Sequence, residues 1–383
     1  MEIKIGVITI LKVNNYGAEL QAYATQKIFE LLGADSEIID YLFYKNPGHK
    51  KTKASAPVFS HSFKKRVKEW LYPIICKLKS LGQTEAKQRR DARFEQFHAE
   101  NTKLSDCYSS LDALTSAKLD YDILVSGSDQ VWNPGNYTSL DPYFLNFGPV
   151  EAKRIAYASS FGVAEIPDYA VNYYKKSLVK YHAIGVRENT AVDLINSLTG
   201  QTAEWVLDPT LLLTHEQWME VAKPVVNIPS TPYILIYELG NVSYIKQLAL
   251  YLSGETGMPI VRICQNACRE DVEKDIVNII DAGPAEFLYL FDKAHVVVTN
   301  SFHGSAFSIN FNKQFYTVVP KGKSNNSRQI SLLKLFHYES CLIQENDDFP
   351  IFRDMSTMKK ESRALLTVER NKSINFIKKT IYG

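Results

Sequence analysis

The feature that most constrains this chain is a repeated alternation of short apolar runs with helical patterns. The first series has predicted strands at residues 3–11, 36–41, 121–126, 154–159, 182–186 and 205–207. Strands that are apolar on both faces and are separated by helices are typical of a parallel sheet covered on both sides. A second series has predicted strands at 233–238, 259–264, 294–299 and 314–319. The sequence therefore predicts an α/β protein with two Rossmann-like, doubly wound domains facing a cleft.

The predicted domain boundary lies within residues 210–232, where several prolines interrupt the pattern. At about 150 residues per domain, a chain of 383 residues is long enough for two large domains. We expect an N-terminal domain at 1–215 that carries an insertion at about 45–103. A C-terminal domain at 216–345 and a helical segment at 346–383 complete the predicted organisation.

The insertion at residues 45–103 carries most of the charge asymmetry of the chain. It holds 15 Lys and Arg against 5 Asp and Glu, so a net charge of +2 combines a +10 insertion with a −8 remainder. Apolar residues around Trp70 share one helical face, and lysines surround it. This pattern is typical of a helix on an anionic membrane surface, but also of a cover helix with a solvated basic face. Pro73 would kink the helix and favours the second interpretation.

Other sequence features bear on location and on cofactors. The N-terminal residues read as a strand and not as a signal peptide, and no window of 18 apolar residues occurs. We therefore expect a cytoplasmic protein. Because of the basic insertion, a location at the inner face of the membrane is an alternative. The near-neutral whole chain argues against a nucleic-acid-binding protein. Five scattered cysteines predict no zinc site, and we expect no metal and no cofactor.

The strongest candidate for chemistry is the turn that follows the strand at 294–299. Ligands of open parallel sheets bind beyond the carboxyl ends of the strands. Ser301, His303 and Gly304 occupy this turn, at the start of a predicted helix. Backbone N–H groups at such a turn bind anions, and a histidine there can donate or accept a proton. The alternative is a structural histidine.

Two further strand ends carry candidate residues. Ser128, Asp129 and Gln130 follow the strand at 121–126 and could bind sugar hydroxyls, although an Asx-turn and helix cap is the alternative. Arg187 closes the strand at 182–186 and could bind a carboxylate or phosphate through its two-pronged guanidinium. The alternative for Arg187 is an ion pair with a neighbouring acid.

Two loops complete the set of candidates. Asn15 opens the first helix in a turn that lacks GxGxxG and a Walker-A lysine, which argues against a dehydrogenase and a P-loop protein. The loop at 320–328 carries Lys321, Lys323 and Arg328. This loop is either a lid with cationic arms or a solvated loop.

These motifs carry a resemblance that extends over about residues 1–340. The segments that carry it are Asn14-Asn15-Tyr16-Gly17-Ala18-Glu19-Leu20-Gln21, Ser126-Gly127-Ser128-Asp129-Gln130-Val131-Trp132, Ser160-Phe161-Gly162, Val186-Arg187-Glu188, Asp208-Pro209-Thr210 and Ser301-Phe302-His303-Gly304. In this order they resemble the polysaccharide pyruvyl transferase family. The resemblance implies a fold of the two-domain glycosyltransferase-B type, in which the C-terminal helix often crosses back to the first domain.

The resemblance also implies an activity. Phosphoenolpyruvate would be the donor, and the acceptor would be a sugar of a bacterial surface polysaccharide or of its lipid-linked precursor. The histidine of the family's Ser-x-His-Gly element corresponds to His303, and the arginine of its Val-Arg-Glu/Asp element corresponds to Arg187. We expect the N-terminal domain to take the acceptor and the C-terminal domain to take the donor.

This chemistry gives each candidate residue an expected role. His303 is the general acid or holds the departing phosphate, and Arg187 binds the carboxylate or phosphate, with Arg328 as a weaker candidate. Asp129 takes a proton from a sugar hydroxyl or orients it, and Gln130 helps to position it. Two other hypotheses remain open, a nucleotide-sugar glycosyltransferase of similar fold and a non-catalytic glycan-binding or assembly subunit.

Overall fold

The computed structural model describes residues 3–53, 85–135, 138–240, 242–264, 276–321, 326–353 and 355–383. The predicted basic helix around Trp70 lies outside the described residues, and so does Lys323. No helix in the described ranges is long and apolar enough to cross a bilayer.

The first half of the chain forms a sheet of six parallel strands. The strands are β1 (Lys4–Ile8), β2 (Asp35–Ile38), β3 (Ile123–Ser126), β4 (Lys153–Ser159), β5 (Ala183–Val186) and β6 (Glu204–Trp205). The helices along this part of the chain are α1 (Tyr16–Leu31), α2 (Glu85–Asn101), α3 (Leu111–Ser116), α4 (Asp168–Leu178) and α5 (Asn189–Thr199). The strand order is β2-β1-β3-β4-β5-β6. All residues of the central strand β3 are buried, which explains the apolar run that precedes Ser126.

The strand order of the first sheet reverses direction at β1. This strand pairs in parallel with β2 on one side and with β3 on the other, where Ile8 is opposite Ser126. Ligands of open α/β sheets bind at such a reversal, beyond the carboxyl ends of the strands. The loops after β1 and β3, which carry Asn15 and Asp129, therefore lie at the topological switch point of this sheet.

The second half of the chain forms another sheet of six parallel strands. The strands are β7 (Tyr233–Tyr237), β8 (Ile260–Ile263), β9 (Ile276–Ile279), β10 (Ala294–Thr299), β11 (Gln314–Val319) and β12 (Leu342–Gln344). The helices are α6 (His215–Met219), α7 (Ser243–Thr256), α8 (Pro284–Lys293), α9 (Phe302–Asn310), α10 (Ser327–Leu335) and α11 (Ser356–Tyr382). The order β12-β11-β10-β7-β8-β9 reverses between β7 and β10. His303, in the first turn of α9, therefore lies at the switch point of the second sheet.

The two sheets confirm the predicted pair of Rossmann-like folds, and the structure corrects one local expectation. Residues 320–328 were expected to form a single loop. This prediction is wrong for the last two residues, because α10 begins at Ser327 and includes Arg328. Helix α10 forms here because Gln329, Leu332 and Leu333 bury one face.

The chain divides into two compact units. The first contains the described residues of Met1–Gln83 together with His98–Leu212 and Lys372–Gly383. The second contains the described residues of Thr84–Phe97 and Leu213–Asn371. Helix α11 therefore starts in the second unit and ends in the first, in agreement with the C-terminal helix that the resemblance implies.

The end of α11 completes the core of the first unit. Ser373 Oγ accepts a hydrogen bond from Leu207 N at 2.9 Å, and Phe376 is buried against β5. A Cβ at Gly185 would lie 2.9 Å from Phe376 Cε1, so glycine in β5 makes room for this ring. The Phe376 side chain thus fills a site that is shaped for it.

Replacement of Phe376 by alanine is expected to destabilise the first unit by about 3–5 kcal/mol, because it removes a buried aromatic ring and leaves a cavity. Urea unfolding followed by hydrogen exchange of amides in β5 measures the change. Lys378 is exposed on the same helix, and Lys378→Ala should leave the transition within about 0.5 kcal/mol of the wild type. Equal unfolding transitions for the two variants would contradict the placement of Phe376 in the core of the first unit.

Candidate active site

Asp208 is the centre of a buried hydrogen-bond network in the first unit. Its Oδ2 accepts from Ser128 Oγ at 2.9 Å and from Arg187 Nη1 at 2.9 Å. Its Oδ1 accepts from the backbone N–H of Thr210 at 3.0 Å and from its hydroxyl at 2.7 Å. Ser128 follows β3, Arg187 follows β5 and Asp208 follows β6, so the network joins the ends of three strands.

Arg187 lies between carboxylates. Its side chain is 1% exposed, and Nη2 lies 3.6 Å from Asp129 Oδ1. Burial lowers the pKa of Arg187, but the carboxylates of Asp208, Asp129 and Glu188 raise this pKa by more, so the guanidinium stays charged. The structure shows the ion pair with a neighbouring acid, and contact between Arg187 and a substrate anion stays a prediction.

Asp129 occupies a strained turn at the switch point. Its φ of 73° is in the left-handed region, which is uncommon for residues other than glycine. Its Oδ1 accepts from Gln130 N at 2.8 Å, while its main-chain oxygen accepts from Ser160 N at 3.0 Å. The side chain is 17% exposed, so its carboxylate is accessible, whereas Ser128 is fully buried.

Gln130 is held by a neighbouring amide and by a close glycine. Asn133 Nδ2 donates to Gln130 Oε1 at 2.7 Å. Gly162 has a φ of 64°, and a Cβ there would lie 2.2 Å from Gln130 Oε1. A side chain at position 162 would therefore displace Gln130, which explains the glycine in Ser160-Phe161-Gly162.

Asn15 is the N-cap of α1. Its Oδ1 accepts from Ala18 N at 3.2 Å, and Glu19 in the first turn accepts from Val13 N at 3.0 Å. His98 Nε2 lies 2.7 Å from the other oxygen of Glu19. These bonds fix the loop after β1, and substrate binding by Asn15 stays a prediction.

In the second unit, the turn between β10 and α9 is tightly packed. His303 is 7% exposed and its ring contacts Phe302 edge-to-face. The Ser301 side chain makes no capping hydrogen bond, so it leaves the first N–H groups of α9 to other partners. A Cβ at Gly304 would lie 2.2 Å from Thr299 Oγ1, so glycine lets the first turn of α9 approach the end of β10.

Helix α10 begins beside this turn. Gln329 Nε2, in its first turn, lies 3.4 Å from the main-chain oxygen of Asn300, which directly precedes Ser301. The side chain of Asn326 donates to the oxygen of Pro320 at 2.8 Å and does not cap α10. The N-terminal turns of α9 and α10, which carry His303 and Arg328, are therefore neighbours. Lys321 is exposed at the start of the connecting loop.

On the other side of this switch point, hydrogen bonds and an ion pair join the neighbouring strand ends. Asn300 exchanges two hydrogen bonds with the main chain of Leu239, at 2.7 and 3.1 Å, and so joins the loops after β7 and β10. Glu238 and Arg262 form a buried ion pair at 2.5 Å. The sequence did not single out these residues, because their pairing depends on which strands become neighbours.

Sequence reasoning also missed Lys45. Its Nζ lies 5.6 Å from the ring centroid of Tyr44 and 5.9 Å from that of Phe43. Lys45 is exposed, yet the surrounding protein lowers its pKa, and the Asp129 carboxylate partly offsets this lowering. Lys45 therefore adds a cation near Asp129. A lysine directly after two aromatic residues was the only sequence signal for it.

A cleft of about 520 Å³ lies at the opposite edge of the first sheet, where β1 and β2 begin. Four of its charged groups form ion pairs with one another, since Lys4 pairs with Asp120 at 2.6 Å and Lys103 with Asp35 at 2.5 Å. We place the candidate site at the carboxyl edges instead, where ligands of parallel sheets bind. Within the described ranges, no group of three or more His, Cys, Asp or Glu residues could hold a metal ion.

Comparison of the sequence with protein families gives one match, to polysaccharide pyruvyl transferase, over residues 15–322. The chain belongs to this family. The match includes the ends of β3, β5 and β10, and therefore Asp129, Arg187 and His303. Membership of the polysaccharide pyruvyl transferase family makes the protein a transferase. No curated protein matches the chain significantly.

Comparison with solved structures shows the fold. UGT89C1 from Arabidopsis thaliana, complexed with UDP-L-rhamnose, is 10% identical and covers 98% of this chain and 94% of that chain, with a TM-score of 0.50. UDP-GlcNAc 2-epimerase from Neisseria meningitidis, bound to UDP-GlcNAc, is 9% identical over 98% and 94% of the two chains, with a TM-score of 0.46. The likeness to UGT89C1 agrees with the glycosyltransferase-B type of fold that the family resemblance implied for this chain.

Proposed function

We propose that the protein transfers a pyruvyl group from phosphoenolpyruvate to two hydroxyls of one sugar, forming a pyruvate ketal. The acceptor belongs to a bacterial surface polysaccharide or to its lipid-linked precursor. The observation that carries this proposal is the juxtaposition of the α9 and α10 N-terminal turns around His303 at the second switch point. Family membership supports the reaction class.

The donor fits the second unit because of its charge. Phosphoenolpyruvate carries a phosphate and a carboxylate, and helix N-termini bind such anions through backbone N–H groups and the positive end of the helix dipole. Ser301 and Gly304 belong to the α9 turn, and Arg328 belongs to the α10 turn. Lys321 adds a cation at the start of the loop that precedes α10. Lys323, also predicted to contribute, lies outside the described residues. This set supplies positive charge for the phosphate.

The chemical steps use His303 first. Its protonated ring donates a proton to C3 of phosphoenolpyruvate, and C2 becomes electrophilic. One sugar hydroxyl adds to C2 and loses its proton, and the C2–O bond to phosphate then breaks. The second hydroxyl adds to C2 and loses its proton, which completes the ketal and leaves inorganic phosphate. No oxidant or reductant is needed.

The acceptor fits the first unit. The accessible carboxylate of Asp129 can take the proton of a sugar hydroxyl, and Gln130 offers an amide to orient the sugar. Ser128 and Asn15 support this turn and the loop after β1 through the bonds described above. A cytoplasmic location at the membrane face, next to a lipid-linked acceptor, stays a prediction that the basic insertion motivates.

Phosphoenolpyruvate is expected to raise the thermal midpoint of the protein, because a ligand that binds only the native state stabilises it, by about 2.7 kcal/mol at 100 times its Kd. Differential scanning fluorimetry measures the shift, and a phosphate-release screen with galactose, glucose, mannose and N-acetylmannosamine glycosides identifies the acceptor. Stabilisation by UDP-sugars but not by phosphoenolpyruvate would instead indicate a nucleotide-sugar glycosyltransferase. Glycan binding without phosphate release from any acceptor would indicate a non-catalytic subunit.

A further inference from the structure

We infer that Asp208 and Arg187 are positioning residues that hold Asp129 in its working orientation, and that Arg187 does not itself bind a substrate anion. The inference deepens the proposed function and rests on it for the role of Asp129 toward the acceptor. Asp208, in the motif Asp208-Pro209-Thr210, thereby gains a role that the sequence did not predict.

The charge around Arg187 and its burial both disfavour a substrate anion at this residue. The Arg187 guanidinium is almost completely buried and lies between two carboxylates, 2.9 Å from Asp208 and 3.6 Å from Asp129. An arginine binds carboxylates through a rigid two-pronged geometry. Here Nη1 donates a hydrogen bond to Asp208, while Nη2 approaches Asp129 at ion-pair distance. A phosphate would have to enter a buried site in which the carboxylates of Asp208, Asp129 and Glu188 already act on the guanidinium. Binding of a substrate anion at Arg187 is therefore unfavourable.

The turn that carries Asp129 is held by hydrogen bonds on both sides. A non-glycine residue with a φ of 73° persists only where its surroundings hold it. On one side, Ser128 donates its hydroxyl to Asp208 and accepts a hydrogen bond from Thr9 Oγ1 at 2.8 Å through its main-chain oxygen. On the other side, Ser160 N donates to the main-chain oxygen of Asp129. The strained backbone of Asp129 is thus fixed from both ends.

Separate sequence motifs meet in this one network. Gln21 Nε2 donates to Thr9 Oγ1 at 2.8 Å, which links α1 to the Ser128 turn. Thr210 holds the second oxygen of Asp208 and so fixes the plane of that carboxylate. Residues that follow β1, β3 and β5, one residue of α1 and the segment after β6 thus all act on the orientation of the Asp129 turn.

The test compares Arg187→Lys with Arg154→Lys. Lysine keeps the charge of residue 187 but cannot grip two carboxylates at once, so we expect kcat to fall about 10- to 100-fold, because small misplacements of reacting groups cost this much. The KM for phosphoenolpyruvate should stay within about twofold. Arg154 also makes several hydrogen bonds, to the oxygens of Leu145 and Ala152 at 3.1 and 3.0 Å, but at the amino end of β4. Arg154→Lys should lower stability without lowering kcat.

The opposite kinetic result would overturn the inference. If Arg187 binds a substrate anion, Arg187→Lys raises the KM for phosphoenolpyruvate at least about tenfold, and phosphoenolpyruvate no longer stabilises the variant. An equal effect of Arg187→Lys and Arg154→Lys on kcat would show a merely structural role, which also overturns it.

A measurement without substrate separates this inference from the proposed function. In Asp208→Asn, hydrogen–deuterium exchange of a peptide covering residues 127–133 should become at least about tenfold faster than in the wild type, because the Ser128 anchor is weakened. Unchanged exchange in this peptide would overturn the positioning role. A wild-type protein that releases no phosphate would disprove the proposed function, while the exchange result still decides the inference.

Discussion

Replacement of His303 by alanine is expected to lower kcat by about 10²–10⁴-fold, the range contributed by a positioned acid or base. His303 lies in the first turn of α9 at the second switch point, where the fold places ligands. Single-turnover release of phosphate from phosphoenolpyruvate in the presence of the acceptor measures this loss. His303→Gln should behave similarly, because an amide can donate a hydrogen bond but cannot deliver a proton to carbon.

The KM for phosphoenolpyruvate separates the two roles of His303. If His303 is the general acid, its loss lowers kcat with little change in KM. If His303 binds the phosphate, its loss raises KM as well. His295 provides the control, because it lies on β10, the strand that precedes the turn, but is exposed. His295→Ala should keep the wild-type kcat. A His303→Ala variant with near wild-type turnover would remove this residue from the mechanism.

Asp129→Asn is expected to lower kcat by about 10²–10⁴-fold, because the amide cannot take a proton from a sugar hydroxyl. Asparagine tolerates a positive φ and keeps an oxygen that can accept from Gln130 N, so the turn itself should survive. Initial rates of ketal formation at saturating phosphoenolpyruvate, followed over a range of acceptor concentrations, measure the effect. The thermal midpoint should change little.

Asp141 offers a matched carboxylate for this experiment. It accepts hydrogen bonds from Asn146 at 2.7 Å and from the Tyr173 hydroxyl at 2.8 Å, away from the strand-end turns. Asp141→Asn should reduce stability but not kcat. If Asp129→Asn retains more than a third of wild-type kcat, Asp129 is not the group that takes the proton.

The sequence predicted the central strands well because their residues are apolar on both faces. For β10 and β11, the predicted and observed bounds agree. The edge strands β9 and β12 were not predicted, because they are short and partly exposed and carry polar residues such as Asn278 and Gln344. Helix α10 was taken for part of a loop because polar residues precede its apolar face. Short edge elements depend on the neighbouring strand more than on their own pattern.

For the candidate site, the sequence located residues but not their partners. The rule that ligands bind at strand ends was sufficient to select Asp129, Arg187 and His303. The pairing of Arg187 with Asp208 could not be predicted from the sequence, because this pairing requires β5 and β6 to lie side by side. Lys45 was missed for a similar reason, since it comes near Asp129 only after the chain folds beyond β2. Such contacts depend on sheet order, which residue patterns do not specify.

The end of α11 has a consequence for biosynthesis. The ribosome synthesises a chain from its N-terminus, and domains generally fold as units in that order. Here Ser373 and Phe376, which follow the whole second unit in the sequence, fill the core of the first unit beside β5. The core of the N-terminal unit therefore lacks the end of α11, and keeps an apolar surface uncovered, until the whole second unit has been synthesised. Folding of the two units is thus expected to finish together, and not one after the other.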